Sequence, residues 1–187
     1  MKKVILFAIL SFTISFSVNS QSIDALDAKN GYKDFKIGDS FEKYNGKLIF
    51  RNYLNNDQNR PTYSIKKEFS YSDLFGYTIK DITLTFKADK LIMIDIWLKE
   101  IVPEGVSWIF NTDDFTNITD QFKSLFGEQK YHVYDDESDN MVGIMQWKGK
   151  KVELWVRFVF RGTAQGGHYI KVTVIDALML NRSSSDF

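Results

Sequence analysis

The chain has 187 residues with 24 basic and 24 acidic side chains, and this balance argues against a nucleic-acid-binding protein, which would carry a basic patch. It has no cysteine, which excludes disulfides and a lipid-modified N-terminal cysteine. An aromatic content of 16% with only two prolines favours a sheet-rich, well-packed globule over disorder.

The first 20 residues have the three parts of a secretory signal peptide. Lys2 and Lys3 precede an apolar run at 4–16, and Val18 and Ser20 are small enough for a cleavage site after Ser20. The run is shorter than the roughly 20 residues that a membrane-spanning helix needs. We therefore predict export to the periplasm or the exterior, with no membrane span after cleavage; the alternative is an uncleaved anchor.

Residues 21–187 are expected to form a single α+β domain, which at this size can bury roughly 70% of its unfolded surface. After a polar lead-in at 21–38, Asp39 and Glu42 have the spacing of a capping box, which predicts a short helix ending at Gly46. Four strand-like segments follow, at 47–54, 62–69, 79–86 and 91–98.

The last two of these segments form a predicted hairpin with a register problem. A two-residue turn at Ala88 and Asp89 places Phe86 and Leu91 on the same face. Simple alternation would then direct Asp95 to the core and the isoleucines of "LIMIDIWL" to the outside. We predict a β-bulge just after Leu91, which reverses that assignment.

The second half begins with the clearest helix, near 113–126, with Asn111 or Thr112 as its cap and Gly127 as its end. Its apolar stripe is predicted to be core. The members of this stripe are Phe115, Ile118, Phe122, Leu125 and Phe126. Four strand-like segments follow, at 129–136, 141–148, 151–160 and 169–176, before a short C-terminal stretch that ends polar.

The two halves, 39–98 and 112–175, each contain a helix followed by four strands. The hairpins "TFKADKL" and "QWKGKKV" align without a gap, so that Phe86 matches Trp147 and Leu91 matches Val152. Two imperfect copies of this unit predict one antiparallel sheet of about eight strands with the helices packed on one face.

This organisation resembles the β-lactamase inhibitor proteins and the small outer-membrane assembly lipoproteins of similar fold. The resemblance rests on the two helix entries, "IGDSFEKYNG" and "NTDDFTNITDQFKSLFG", and on the paired hairpins. "TFKADKLIMIDI" also resembles hairpins of uncharacterised exported bacterial proteins. The chain lacks the disulfides of the inhibitors and the lipid-bearing cysteine of the lipoproteins. The resemblance implies an open sheet that serves as a recognition surface.

The candidate site lies on the sheet face opposite the core. In "KVELWVRFVF", Val152, Leu154 and Val156 alternate with polar and aromatic residues, and the next strand directs Ile170, Val172 and Val174 to the core. Trp, Tyr and Arg are the residues that most often anchor protein contacts. The predicted open face consists of Glu153, Trp155, Arg157, Tyr169 and Lys171, together with Asp95 and Trp97 if the bulge exists. Alternatively, Trp155 lies under the terminal segment or against a second copy.

No motif predicts a cofactor or a metal. His132 and His168 are 36 positions apart without a second ligand at metal spacing. "DDESDN" at 135–140 lacks the glycine and glutamate of a calcium loop and predicts a solvated hairpin loop. "RGTAQGGHY" at 161–169 predicts a flexible hairpin, whose tip could close over a ligand beside Trp155.

The sequence thus predicts a non-catalytic binding module and favours a protein partner over a small molecule or glycan, with no nucleic acid. Two alternatives belong to other classes. One is an enzyme that acts on envelope polymers through Glu153 and Asp95 as a carboxylate pair. The other is a structural envelope protein that self-associates.

Overall fold

The structure, a computed structural model, describes residues 23–98, 112–135, 141–160 and 168–179. The predicted signal peptide at 1–20, the acidic loop at 136–140, the glycine-rich loop at 161–167 and the C-terminal end from 180 lie outside the described residues. So do the side chains of His132 and His168.

The described part of the chain contains two α-helices of at least seven residues, three short 3₁₀ turns and eleven strands. The helices are α1 (Ile23–Lys29) and α2 (Thr112–Phe126). The strands of the first half are β1 (Gly31–Tyr32), β2 (Phe35–Lys36), β3 (Leu48–Tyr53), β4 (Pro61–Ile65), β5 (Asp73–Leu74), β6 (Tyr77–Lys87) and β7 (Lys90–Leu98). Those of the second half are β8 (Lys130–Asp135), β9 (Met141–Lys148), β10 (Val152–Phe160) and β11 (His168–Asp176).

One large antiparallel sheet organises the fold. Its strand order is β3-β4-β6-β7-β11-β10-β9-β8, the short strand β5 adds to β6, and β1 and β2 form a separate hairpin. The four-stranded meanders of the two halves meet where β7 pairs with β11, with Ile96 opposite Val172. This confirms the predicted α+β class and the antiparallel sheet of about eight strands.

The core lies between one sheet face and the helices. In α2, Asp113 and Asp114 lie in the first turn, where carboxylates stabilise the positive end of a helix. Gly127 ends the helix at a φ of 81°, and its N–H donates to the carbonyl oxygen of Lys123 at 2.8 Å. The predicted stripe is buried except for Leu125, which is 40% exposed at its border. The stripe packs against the core face of the sheet, including Trp147, Leu154 and Phe158.

The lead-in at 21–38 is more structured than the sequence predicted. It forms α1 and the β1–β2 hairpin, and Leu26, Tyr32 and Phe35 are buried in the core. The helix predicted to end at Gly46 is only a 3₁₀ turn, Phe41–Tyr44. The carboxylate of Asp39 accepts hydrogen bonds from the side chains of Lys43 and Tyr44 and from the Lys36 N–H. The first half therefore lacks a counterpart of α2 at that position, and the internal repeat stays a prediction.

The predicted bulge after Leu91 is confirmed. Phe86 pairs with Leu91, but Thr85 pairs with Met93, so Ile92 is the extra residue. The turn residues Ala88 and Asp89 have φ values of 46° and 65°, as a two-residue type I′ turn requires. The bulge places Ile94, Ile96 and Leu98 in the core and Asp95 on the opposite face.

The two aligned hairpins differ in their turns. Phe86 pairs with Leu91, whereas Trp147 pairs with Leu154, so the turn between β9 and β10 is longer than the one after Phe86. The backbone N–H groups of Lys150, Lys151 and Val152 are directed to the carboxylate of Asp27 in α1, at 2.8, 2.8 and 3.2 Å. A contact between distant parts of the chain therefore fixes this turn.

Candidate functional site

The predicted face is assembled across the three central strands. Lys171 on β11 lies opposite Trp97 on β7 and opposite Arg157 on β10. Two residues further along β11, Thr173 lies opposite Asp95 on β7 and opposite Trp155 on β10. The alternation of the strands therefore brings the predicted residues together, on the side away from the helices.

Aromatic rings and cations form the central contacts of this face. The guanidinium carbon of Arg157 is 4.5 Å from the ring centroid of Trp155, and Lys171 Nζ is 4.8 Å from that of Trp97. The rings of Trp97 and Tyr169 are 5.1 Å apart at 40°. Cation–π contacts of this kind hold the charged groups over the rings. We call these five residues, Trp97, Trp155, Arg157, Tyr169 and Lys171, the aromatic–cationic patch.

Glu153 was predicted to lie open to solvent, but it is buried, with only 2% exposure. Its Oε2 accepts hydrogen bonds from Gln146 Nε2 at 2.6 Å and from Trp155 Nε1 at 3.0 Å, and Lys148 Nζ lies 3.4 Å from Oε1. Gln146 and Lys148 on β9 and Trp155 on the same strand supply the donors to this carboxylate. Glu153 thus holds Trp155 in place from below the surface.

Asp95 is likewise buried, at 6% exposure, and the expectation that it faces solvent is wrong. Thr173 donates a hydrogen bond to Asp95 Oδ1, and Lys171 Nζ is 3.5 Å from the same oxygen. Burying a charged group without a partner is costly, and here the cation and the hydroxyl provide the compensation. Asp95 therefore orients Lys171 within the patch.

Lys171 has an unusual electrostatic environment. Burial lowers its pKa below the usual value of 10.5, Asp95 acts in the opposite direction, and the positive charge of Arg157 lowers the pKa further. The net direction is downward. The cations of Lys171 and Arg157 therefore lie close together, and the buried carboxylate of Asp95 pairs with Lys171 across β7 and β11.

Arg157 differs from its neighbours in its hydrogen bonding. It is half-buried, and its Nε is a buried donor with no hydrogen-bond acceptor among the described residues. Within the same part of the chain, Arg157 also has no carboxylate close enough for an ion pair. The contact with the Trp155 ring holds the guanidinium in place.

Sequence reasoning missed three residues that complete the face, Ile144, Gln146 and Lys148. Ile144 is buried under Trp155 and Tyr169, while Gln146 and Lys148 bind Glu153. Ile144 lies opposite Arg157 and Gln146 opposite Trp155. Alternation along "MVGIMQWK" was the signal that could have placed all three on this side.

The described residues contain no group of three or more His, Asp or Glu side chains that could hold a metal ion. Among the helices in this part of the chain, none combines the length and apolarity needed to cross a bilayer. Comparisons with protein-family profiles, with curated proteins and with solved structures return no match for this chain.

Proposed function

We propose that the chain is an exported, non-catalytic binding module that recognises a protein partner through the aromatic–cationic patch. The observation that carries this proposal is the half-buried Arg157 guanidinium, which lies over Trp155 and has no carboxylate partner in the described part of the chain. Its Nε is closed to solvent, so an acceptor supplied by a partner would meet the remaining N–H groups of the guanidinium.

The chemistry of the patch points to an acidic partner surface. Arg157, Lys171 and Lys148 carry three positive charges against the two carboxylates of Asp95 and Glu153, so this face has a net positive charge. A guanidinium binds a carboxylate through two parallel hydrogen bonds. The neighbouring half-buried Trp97 and Trp155 are the kind of residue that carries much of the binding energy in protein interfaces.

The shape of the site supports a protein more than a small molecule or a glycan. The patch lies on successive strands of one sheet, and small ligands prefer concave sites that enclose most of their surface. The proposal of export rests on the pattern at 1–20, in which two lysines precede an apolar run.

The enzymatic alternative is less well supported. Both carboxylates are buried and engaged, Glu153 with Gln146 and Trp155, and Asp95 with Lys171. Asp95 on β7 and Glu153 on β10 are also separated by strand β11, and they are offset by two positions along the strands. Standard sheet spacings therefore put their Cα atoms roughly 12 Å apart. An acid–base pair needs at least one carboxyl group that substrate can reach.

The test is capture of the partner from the exported fraction of the source cells. Immobilised wild-type protein is compared with Arg157→Gln and Trp155→Phe, and with Lys123→Gln, which removes an exposed cation on α2, far from the patch in the fold. We expect one protein species to be enriched by the wild type and by the control, and to be lost with Arg157→Gln and weakened with Trp155→Phe.

Circular dichroism at the capture temperature establishes that all four proteins are folded, and thermal unfolding measures how far below its melting point each one is used. The captured species should then dissociate more readily as salt is raised, because its binding depends on opposite charges. Equal capture by all four proteins would contradict the proposal.

A second candidate function, self-association, is favoured by strand β3. This strand is at the end of the sheet order, and Ile49, Phe50 and Tyr53 are 50%, 49% and 40% exposed. An apolar edge strand can pair with the same strand of another copy. Sedimentation velocity over a concentration series tests this candidate with Ile49→Lys as the comparison. Monomer alone at the highest concentration would argue against it.

A further inference from the structure

A pocket of about 260 Å³ opens on the helical side of the sheet, opposite the aromatic–cationic patch. Its floor is apolar and comes from the three central strands. The floor residues are Ile96, Leu154, Val172 and Val174. Leu26 of α1 and Phe122 and Phe126 of α2 also line it. Neither helix alone would form it, since the pocket lies where both helices meet the sheet.

Positive charge accompanies this apolar floor. Lys29, Lys33 and Lys36 line the pocket together with a single acid, Asp73. Lys36 Nζ donates to the carbonyl oxygen of Lys29 at 2.8 Å, and Lys33 Nζ lies 5.5 Å from the ring centroid of Tyr71. Lys29 and Lys33 are exposed. The solvent side of the pocket therefore has an excess of positive charge, while its interior is hydrocarbon.

The turn between β5 and β6 adds a strained aromatic residue to the rim. Phe75 has a φ of 54° and Gly76 a φ of 84°, the left-handed conformations of a type I′ turn. Asn or Gly is preferred at the first of these positions, and a bulky side chain there is strained. Phe75 remains 37% exposed, and its ring is 4.9 Å from that of Phe122. Strain of this kind concentrates at ligand-binding sites.

We propose that this pocket binds a medium-chain fatty acid. The hydrocarbon chain lies against the floor, and the carboxylate lies among Lys29, Lys33 and Lys36. At about 30 Å³ for each non-hydrogen atom, the share of a water molecule in the liquid, the pocket holds about nine such atoms. This number matches the nine tail carbons of decanoate, with its carboxylate outside the hydrocarbon interior, among the lysines. The site is separate from the proposed protein-binding function, because it lies on the other face of the sheet.

The primary test is a titration of the purified protein with decanoate below its micelle concentration, followed by methyl NMR. We expect the methyl signals of Leu154, Val172 and Val174 to shift together and those of Ile49, on the far edge of the sheet, to stay unchanged. Affinity should rise about threefold to fourfold for each added methylene from hexanoate to decanoate, and then level off at dodecanoate.

A ligand of the same chain length and opposite charge distinguishes the contribution of the lysines from that of the apolar floor. Decyltrimethylammonium should bind at least about fivefold more weakly than decanoate, because it meets the lysines with like charge. Decanol, which is uncharged, should have an intermediate affinity. The double variant Lys29→Gln with Lys33→Gln should weaken decanoate severalfold and leave decanol unchanged. Lys67→Gln with Lys80→Gln is the matched control outside the pocket.

Phe75→Asn tests whether the aromatic side chain at the rim contributes to decanoate binding, and it should leave the protein folded. Asparagine tolerates the left-handed conformation, so we expect unchanged or higher stability with several-fold weaker decanoate binding. Phe69→Asn removes a similarly exposed ring, 45% exposed, outside the pocket and should bind decanoate normally. Three results would each overturn the proposal. They are no shift of the floor methyl groups, equal affinity for the two charged ligands, and wild-type affinity in both the lysine and Phe75 variants.

Discussion

The carboxylate of Asp27 accepts a hydrogen bond of 2.8 Å from the backbone N–H of Lys151, which joins helix α1 to the turn between β9 and β10. The N–H groups of Lys150 and Val152 are directed to the same carboxylate. A helix of seven residues is too short to be stable by itself, so its position depends on contacts such as this one. Asp27 thus holds α1 over the core and over the pocket that Leu26 and Lys29 line.

Replacement of Asp27 by Asn should therefore destabilise the protein. The amide has one acceptor oxygen, and its NH₂ group would face the N–H donors of the turn. We expect the free energy of unfolding to fall by about 2 kcal/mol, the range for hydrogen bonds to a charged group. Urea unfolding at pH 7 measures the change. Asp120→Asn, at an exposed site in the middle of α2, is the control and should be close to neutral.

The same contact predicts a pH dependence. Burial tends to raise the pKa of Asp27, but the three backbone hydrogen bonds and the charge of Lys151 outweigh it and hold the pKa below its usual value of 3.8. A carboxyl with a lowered pKa in the folded state stabilises the fold above that usual value and loses this contribution as the pH falls through the lowered value. The stability difference between wild type and Asp27→Asn should therefore shrink as acid is added. A difference that is constant down to acid unfolding would contradict this role.

We predict that the stability of the turn beside Asp27 requires glycine at position 149. A Cβ atom at this position would lie 2.3 Å from Asp27 Oδ1 and 2.7 Å from the carbonyl oxygen of Val152. Gly149→Ala should lower the free energy of unfolding by more than about 1 kcal/mol, in the range of overpacked sites. The double variant with Asp27→Asn should lose less than the sum of the two, because both changes disturb one contact. Unchanged stability of Gly149→Ala in urea would show that the turn can rearrange freely.

The sequence was sufficient to predict the main sheet and to assign most side chains of its central strands to one face or the other. Alternation along β10 and β11, and a turn that fixes Phe86 opposite Leu91, determine which side chains share a face. These are local rules, so one strand or one hairpin is enough to apply them. The bulge could be inferred because the alternative would have put four apolar side chains of β7 in water.

Contacts between distant segments could not be inferred in this way. Helix α1 is too short to show a period, and its partner turn is 124 positions away. The burial of Glu153 depends on Gln146 and Lys148 reaching across from β9, which alternation alone does not reveal. The fatty-acid pocket forms only where α1, α2 and the sheet meet, so no single stretch of sequence indicates it.

Removal of the Arg157 charge should raise the pKa of Lys171. Burial is the first cause of the lowered pKa, and the nearby guanidinium lowers it further, while Asp95 opposes both. Arg157→Met keeps much of the side-chain bulk and removes the charge, so the Lys171 pKa should move back toward 10.5. A titration of the lysine side-chain carbons by NMR measures the shift. Lys148→Met is the control, since this cation is 61% exposed and pairs with Glu153.

The stability consequence of the Lys171 shift has a definite sign. Between the lowered pKa of the folded state and the usual value, the unfolded chain binds more protons than the folded one. Wild-type stability should therefore rise with pH through that window, and the rise should be smaller in Arg157→Met. An equal rise in both proteins would mean that Arg157 has no electrostatic effect on Lys171.

Glu153 provides the test that separates a structural carboxylate from a catalytic one. Glu153→Gln retains the shape of the side chain but removes the negative charge that Lys148 neutralises. It also removes one of the two carboxylate oxygens, and Gln146 and Trp155 both donate to that carboxylate. We therefore expect the free energy of unfolding to fall by about 2 kcal/mol. Trp155→Phe removes the indole donor and should cost about 1 kcal/mol. Because the two share one hydrogen bond, the double variant should lose less than the sum in urea unfolding. Glu68→Gln, at an exposed site, is the matched control. Full stability of Glu153→Gln would contradict the anchoring role, and would return this carboxylate to consideration as a catalytic group.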